Sequence, residues 1–153
     1  MPRNGSQTPQ VARTRDEMPK LYKLVITIPG LPPTYNAIGR KSRWVLMDNA
    51  RKWKDNVRFA VGRFLPSKPL EKARVEIIRC STTQGDYDGL VQAAKPLLDG
   101  LVEAGVLADD SMKVIGVPTY GWEKAEKKKG CVKICVEEWV MNDCINDSER
   151  AIA

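Results

Sequence analysis

The chain has 153 residues, an apolar fraction of 42% and a formal net charge of +6, and it contains no histidine. This length suits one domain with a single core, and no apolar run approaches the roughly 18 residues that a membrane-spanning helix needs. Ser-His-Asp and Cys-His catalysis and histidine-bound zinc sites all require an imidazole, so these classes are excluded. Any catalysis must therefore depend on carboxylates, lysines and a metal ion.

The first twenty residues are polar and basic, with three prolines and no apolar stretch of the kind found in a secretion signal. They predict a flexible N-terminal arm (1–20) before a folded domain (21–140) and a C-terminal tail (141–153). A cytoplasmic protein with no membrane partner is expected.

The first half of the domain shows a strand, a helix and a second strand. Leu21–Ile28 is rich in β-branched residues and is stopped by Pro29 and Gly30, which indicates a strand. A helical periodicity predicts a helix from about Asn49 to Phe64 with Asp48 as its N-cap. Ala73–Cys80 alternates as a second strand.

The second half predicts a helix and two further strands. After Asp88 the chain turns helical, roughly over 93–105, with Gly105 as its C-terminal stop. Pro96 implies either a start near residues 94–95 or a kink, because proline lacks the N–H that a helix interior uses. Met112–Val117 is expected to be a strand, and Cys131–Glu138 is expected to complete a hairpin. The leucines and valine of the helix form its buried stripe: Leu97, Leu98, Leu101 and Val102.

The order β-α-β-α-β-β predicts an α+β fold, a single layered domain with a mixed sheet and helices packed on it. Its cysteines are interpreted as structural or incidental thiols. Cys131 and Cys135, four apart on a strand, are separated by about 13 Å, which is too far for one zinc ion. A cytoplasmic location also argues against disulfides.

Two close pairs of aspartates are the main candidates for chemistry. In an extended segment, Asp86 and Asp88 project to the same side, and the loop after the second helix can return Asp109 and Asp110 to their vicinity. Converging carboxylates repel each other unless a cation lies between them, and their oxygens are the ligands that Mg²⁺ prefers. One or two such ions would activate water and stabilise an in-line displacement at phosphorus.

Lys95 lies near the start of the second helix, on the side that faces the Asp86–Asp88 segment. A lysine at this position can stabilise the transition-state charge or the leaving group. The alternative is a surface salt bridge with Asp99, four residues further along, which contributes only a few tenths of a kcal/mol.

The charge is divided unevenly along the chain. Residues 1–79 hold 17 Lys and Arg against 6 Asp and Glu, a net +11, and residues 80–153 hold 8 against 13, a net −5. A surface for a polyanion beside an acidic metal site would give this pattern, and a solvated basic surface with a basic tail is the alternative. The candidate DNA-phosphate contacts are basic residues of the first helix, its preceding loop and a later turn: Arg40, Lys41, Arg43, Arg51, Lys54, Arg58, Lys127, Lys128 and Lys129.

The spacing of the acidic residues and the lysine resembles a known family. An Asp-x-Asp at 86–88, a Lys followed four residues later by Asp at 95 and 99, and an Asp-Asp before a predicted strand at 109–110 are similar to RusA-type Holliday junction resolvases of phages and prophages. The resemblance spans roughly residues 21–138. It implies a homodimeric, Mg²⁺-dependent endonuclease, with Mn²⁺ as an alternative ion, that cuts four-way DNA junctions by paired symmetric cleavage.

The same resemblance assigns roles to individual residues. Asp86, Asp88 and Asp110 match the essential metal-binding carboxylates, Lys95 matches the catalytic lysine, and Asp109 matches a neighbouring acid. Asp99 is interpreted as supporting Lys95.

Two departures from the family pattern leave alternatives open. Gly89 replaces the usual asparagine, and Lys95 lies seven residues after Asp88 where shorter members have four. A branched-DNA-binding protein without catalysis, or a metal-dependent hydrolase acting on another nucleic acid, therefore remains an alternative to the resolvase.

Overall fold

The computed structural model describes residues 21–34, 37 and 40–139, and the predicted arm (1–20) and tail (141–153) lie outside these residues. Four strands and three helices follow one another along the described chain. They are β1 (Lys23–Pro29), α1 (Arg43–Val61), β2 (Ala73–Ser81), α2 (Tyr87–Ala104), α3 (Met112–Ile115), β3 (Thr119–Lys124) and β4 (Cys131–Glu138). The predicted α+β class is confirmed, and with it the order of two strand-helix units followed by two strands.

The strands form one mixed sheet in the order β1-β4-β2-β3. β4 is antiparallel to both β1 and β2, and β3 is parallel to β2. The predicted hairpin of the last two strands is wrong, because β2 lies between β3 and β4. The connection from β3 to β4 therefore passes the end of β2, and β4 lies inside the sheet, where it pairs with β1 on one side and with β2 on the other.

Alternate residues of the strands separate a buried face from a solvent-facing one. On the central strands, Val75, Ile77, Val132, Ile134 and Val136 are almost fully buried against the helices. The opposite face carries cross-strand ion pairs: Lys23 with Glu137 at 3.2 Å and Lys133 with Glu123 at 2.9 Å. The domain is thus two layers, with both long helices on one side of the sheet.

No helix in the described part of the chain is long and apolar enough to cross a bilayer.

The first helix begins six residues earlier than predicted. Its N-cap is Ser42, whose hydroxyl accepts a hydrogen bond from the Val45 amide at 3.4 Å, and Asp48 lies inside the helix. It ends at Val61, so Phe64 lies beyond it and is exposed. The first turns escaped detection because their apolar side chains, such as Trp44, are exposed and show no buried stripe.

The second helix also begins earlier, at Tyr87, and continues through Pro96. Leu97, Leu98 and Leu101 are buried as predicted, whereas Val102 is only partly buried. Gly105 ends the helix with a left-handed backbone (φ +91°), which favours glycine because it lacks a Cβ.

The predicted strand Met112–Val117 is wrong. These residues form the single-turn helix α3, which Gly116 ends with a positive φ of 59°, and the third strand begins only at Thr119. Met112 and Lys113 are exposed and only Ile115 is buried. The apolar residues of this segment therefore belong to one helical turn at the surface, and only Ile115 packs into the core.

Candidate functional site: a lysine held between acidic residues on the second helix

The first acidic pair lies at the N-terminus of α2. Asp86 is the N-cap, with an extended backbone, and its carboxylate makes no capping hydrogen bond to the helix amides. Asp88 lies in the first helical turn, and both residues are exposed. The premise that both belong to one extended segment is wrong, because the helix begins between them. The same-side projection that was expected of an extended chain does not apply to them.

The second acidic pair returns to the middle of α2 and meets Lys95 there. The Lys95 ammonium lies 3.1 Å from Asp99 Oδ1 and donates a hydrogen bond to Asp110 Oδ2. Asp110 is 15 residues away in sequence. The structure thus brings together three of the residues that the sequence pattern singled out, and they come from two separate stretches of the chain.

These contacts favour the charged forms of both groups. The hydrogen bond from Lys95 holds the pKa of the Asp110 carboxyl below its usual value, and the bond to Asp110 raises the pKa of the Lys95 ammonium. Lys95 nevertheless keeps 59% of its side-chain surface exposed, against 26% for Asp110. The lysine is therefore charged, partnered and accessible from solvent.

Helix geometry separates the two acidic pairs. Lys95 lies seven residues after Asp88, which is nearly two full turns on the same helix face and about 10 Å along the axis. Asp110 is held at the level of Lys95, away from the N-terminus of the helix. Among residues 21–34, 37 and 40–139, no group of three or more His, Cys, Asp or Glu side chains could hold a metal ion. In this arrangement Asp86, Asp88, Asp109 and Asp110 do not fit one Mg²⁺ ion.

A small cavity beside the N-terminus of α2 was not predicted from the sequence. It measures about 140 Å³, and Asp86, Tyr87, Tyr120 and Arg79 are among the residues that line it. The two tyrosine rings meet edge to face with centroids 6.2 Å apart. Burial raises the pKa of Tyr120, and the Arg79 guanidinium donates to the Pro32 carbonyl at 2.6 Å.

A signal for this cavity was present in the sequence. The buried positions of β2 alternate through Ala73, Val75 and Ile77, so the next position in that series, Arg79, places a guanidinium on the helix-covered side. A charged residue at an inward position indicates a polar or solvent-filled space beneath it, because an unsolvated guanidinium is costly.

Three of the predicted DNA contacts lie together on α1. Arg51, Lys54 and Arg58 line an open groove of about 440 Å³ between α1 and α2. Lys54 pairs with Glu103 of α2 at 3.1 Å, and Arg58 pairs with Asp55. Two of these cations are therefore partly neutralised by acids of the protein itself.

The other predicted contacts are exposed and lie on different segments. Arg40 and Lys41 precede α1, and Arg43 is its first residue. The three lysines 127–129 lie in the exposed connection from β3 to β4, where Lys129 pairs with Glu126 at 2.9 Å.

No family model matches the chain, and no curated protein does. One solved structure to which it is similar is the crystal structure of GDP-form protofilaments of Bacillus thuringiensis serovar israelensis TubZ, at 9% identity and a TM-score of 0.41. That likeness covers 76% of this chain and 25% of the other, so the chain spans about a quarter of that protein.

Proposed function

We propose that this chain is a Mg²⁺-dependent endodeoxyribonuclease that resolves four-way DNA junctions as a homodimer. The observation that carries the proposal is the placement of Lys95 between Asp99 and Asp110. The sequence pattern that resembles junction resolvases singles out these same residues. Their convergence supports a shared role, since the chain has to turn back along α2 to bring Asp110 there.

Lys95 is the group with the clearest role in this proposal. Its ammonium is charged and solvent-accessible. A scissile phosphate near this point would receive a compensating positive charge, and groups that stabilise developing charge contribute much of an enzyme's rate enhancement. Asp99, one helical turn further along, keeps the ammonium on this face of the helix.

Metal binding requires a change in the side chains. Asp110 has to leave Lys95 and turn towards the N-terminus of α2, where the carboxylate of Asp86 is not engaged with the helix amides. The phosphate of bound DNA is a competing partner for Lys95 and would release Asp110. The bound ion would supply an activated water and neutralise charge at phosphorus.

The dimer follows from the symmetry of the substrate. A four-way junction has near two-fold symmetry, so paired cuts need two active sites related by the same operator. One chain offers one Lys95 site. The basic residues of α1 and of the β3–β4 connection would contact backbone phosphates, and such binding weakens as salt rises.

Cleavage of a synthetic four-way junction tests the proposal. The wild-type protein with Mg²⁺ should give paired, symmetric nicks, and Asp88→Asn should give none. Lys23→Met is a matched control, since it removes an ion-pair lysine from the solvent-facing side of the sheet, and it should cut normally. No cleavage by the wild type in Mg²⁺ or Mn²⁺, or full activity of Asp88→Asn, would overturn the assignment.

One observation favours a second candidate, a protein that binds branched DNA without cutting it. The aspartates of the described residues are not arranged to hold a metal ion. In addition, Gly89 has no side chain at the position where junction resolvases of the family that this chain resembles have asparagine. A junction shifted in a gel but not nicked in either metal would select this alternative. A panel of junction, flap, duplex and free nucleoside triphosphate would identify a hydrolase with another substrate.

A further inference from the structure

The solvent-facing side of the sheet holds two thiols directly opposite each other. Cys80 of β2 and Cys131 of β4 are partners in the antiparallel register. Such partners have Cα atoms about 4.5 or 5.5 Å apart, and both distances lie within the roughly 4.4–6.8 Å that a disulfide spans. We propose that Cys80 and Cys131 form a redox-active dithiol, which peroxide or a small-molecule disulfide converts to an intramolecular disulfide.

The surroundings of the two thiols differ, and the difference sets the order of reaction. Cys80 is buried, whereas Cys131 is partly exposed, so an oxidant reaches Cys131 first. The Cys80 thiol lies within hydrogen-bonding reach of Cys131 and donates to Glu123 Oε2 at 3.9 Å. Burial raises the pKa of the Cys80 thiol, which keeps this thiol protonated while Cys131 reacts with the oxidant.

Two charged side chains, Lys133 and Glu123, lie beside the thiol pair and favour its oxidation to a disulfide. Lys133 pairs with Glu123 at 2.9 Å, and its positive charge favours the thiolate form of Cys80. The Glu123 carboxylate accepts the hydrogen bond of the Cys80 thiol and can take up the proton that Cys80 loses. The cluster therefore contains an accessible thiol, a resolving thiol, a proton acceptor and a cation.

The reaction balances with hydrogen peroxide as the oxidant. The Cys131 thiolate attacks peroxide and becomes a sulfenic acid, and the displaced hydroxide takes up the proton that the Cys131 thiol had lost, forming water. Cys80 passes its proton to Glu123 or solvent, attacks the Cys131 sulfur and displaces hydroxide, which takes up a proton to form a second water. With a disulfide such as oxidised glutathione, the Cys131 thiolate forms a mixed disulfide and releases one glutathione, and Cys80 then attacks the Cys131 sulfur and releases the second.

The cross-link would close a loop over residues 81–130, which contain α2, α3, β3 and both aspartate pairs. A disulfide across a loop of this length stabilises the fold mainly by restricting the unfolded chain. Oxidation is therefore expected to raise the thermal unfolding midpoint. Because these thiols lie on the face of the sheet opposite the helices, the inference stands apart from the proposed nuclease activity.

The test uses a variant that retains only the two opposed thiols. Cys135→Ser with Cys144→Ser leaves Cys80 and Cys131. The full chain is equilibrated in glutathione buffers of increasing oxidised fraction, alkylated and digested without reduction. Both thiols should be lost together in one reversible transition, with a peptide that links Cys80 to Cys131 and a higher unfolding midpoint.

A matched control retains Cys80 and Cys135 instead. Cys135 pairs with Glu76, four residues from Cys80 on β2 and about 13 Å along the strand, so it should form no disulfide with Cys80. A disulfide in the control variant at the same potential would overturn the proposal. The same holds if Cys80 and Cys131 remain open to alkylation or form only mixed disulfides with glutathione. If the serine variants fail to fold, the same peptide map of the wild-type protein decides between Cys80–Cys131 and other pairings.

Discussion

The two halves of α2 show how one helix serves both the core and the surface. In its second half, Leu97 and Leu101 are fully buried and Gly100 lies against α1. In its first half, Asp88 and Lys95 are exposed, and Lys95 pairs with the carboxylates of Asp99 and Asp110. The buried half fixes the position of the helix, so the exposed half can present charged groups whose own contacts contribute little to stability.

The largest expected effect of a change in the exposed half is on the proposed chemistry. Lys95→Met should reduce single-turnover cleavage of a four-way junction by about 100-fold or more, because a positive charge beside the reacting phosphate is lost. Junction affinity measured by gel shift should change little, since one phosphate contact is a small part of the total. A loss of affinity with unchanged cleavage of the bound junction would make Lys95 an anchor for DNA and not a catalytic group.

A change in the buried half should affect stability instead. A Cβ on Gly100 would lie 2.9 Å from Val57 Cβ and 3.1 Å from the Lys54 Cα, and the backbone atom cannot move aside cheaply. Gly100→Ala should therefore lower the free energy of unfolding by about 1–3 kcal/mol, even though alanine favours helix by up to about 1 kcal/mol. Urea unfolding of the purified protein measures this change.

Gly89→Ala is the matched control within the same helix. Its added Cβ would lie 3.7 Å from Thr34 Cβ, an ordinary van der Waals contact. It should leave the protein equally stable or stabilise it by up to about 1 kcal/mol. Equal destabilisation by the two alanines would show that the contact with α1 is not what requires glycine at position 100.

A third test addresses the competition between Lys95 and a metal ion. Since Lys95 pairs with Asp110 in this structure, Lys95→Met should free the carboxylate and strengthen Mn²⁺ binding by the free protein, by up to about fivefold for a coupling of about 1 kcal/mol. Calorimetric titration measures the affinity, and Lys95→Met with Asp110→Asn should remove the gain. If metal affinity falls in Lys95→Met, Lys95 supports the metal-binding arrangement and does not compete with it.

The parts of the fold that follow from the sequence are those with a strong burial pattern. The strands near 21–28 and 73–80 and the buried leucines of α2 were predicted because alternating or helical apolar residues face one core. The first turns of α1 were missed because their apolar side chains remain exposed. The local sequence pattern does not show which strands are neighbours in the sheet, so it did not predict that β2 lies between β3 and β4.

The sequence singled out the residues of the Lys95 cluster as candidates, but it did not predict their arrangement. The loop after α2 was expected to return Asp110 to Asp86 and Asp88, whereas Asp110 pairs with Lys95. The start of the helix at Tyr87 was not expected either, and this start separates Asp86 from Asp88 by the change from extended to helical backbone. The inward position of Arg79 can be predicted only from the alternation of buried residues along β2. A single charged residue at the end of a strand does not show which face of the sheet it occupies.

The smallest predicted effect is the contribution of the Lys95–Asp110 pair to stability. In the folded protein the pKa of Asp110 is lowered, so its contribution is present above the unfolded value of about 3.9 and is lost as the pH falls through the folded value. The pKa of Lys95 is raised, so its contribution is present below about 10.4 and is lost as the pH rises through the folded value. Because Lys95 is mostly exposed, solvent screening limits the pair to about 0.2–1 kcal/mol.

A double-mutant cycle of Lys95→Met and Asp110→Asn isolates this contribution. The coupling in free energy of unfolding should have a plateau at neutral pH and approach zero in acid, where Asp110 becomes protonated in both states. Asp109→Asn removes the neighbouring exposed carboxylate and should show weaker coupling to Lys95 at every pH. A coupling that is independent of pH, or as strong for Asp109 as for Asp110, would mean that Lys95 interacts with the acidic surface in general. The exposed half of α2 would then owe nothing to a specific ion pair, and the contrast with the buried half would rest on Gly100 and the leucines.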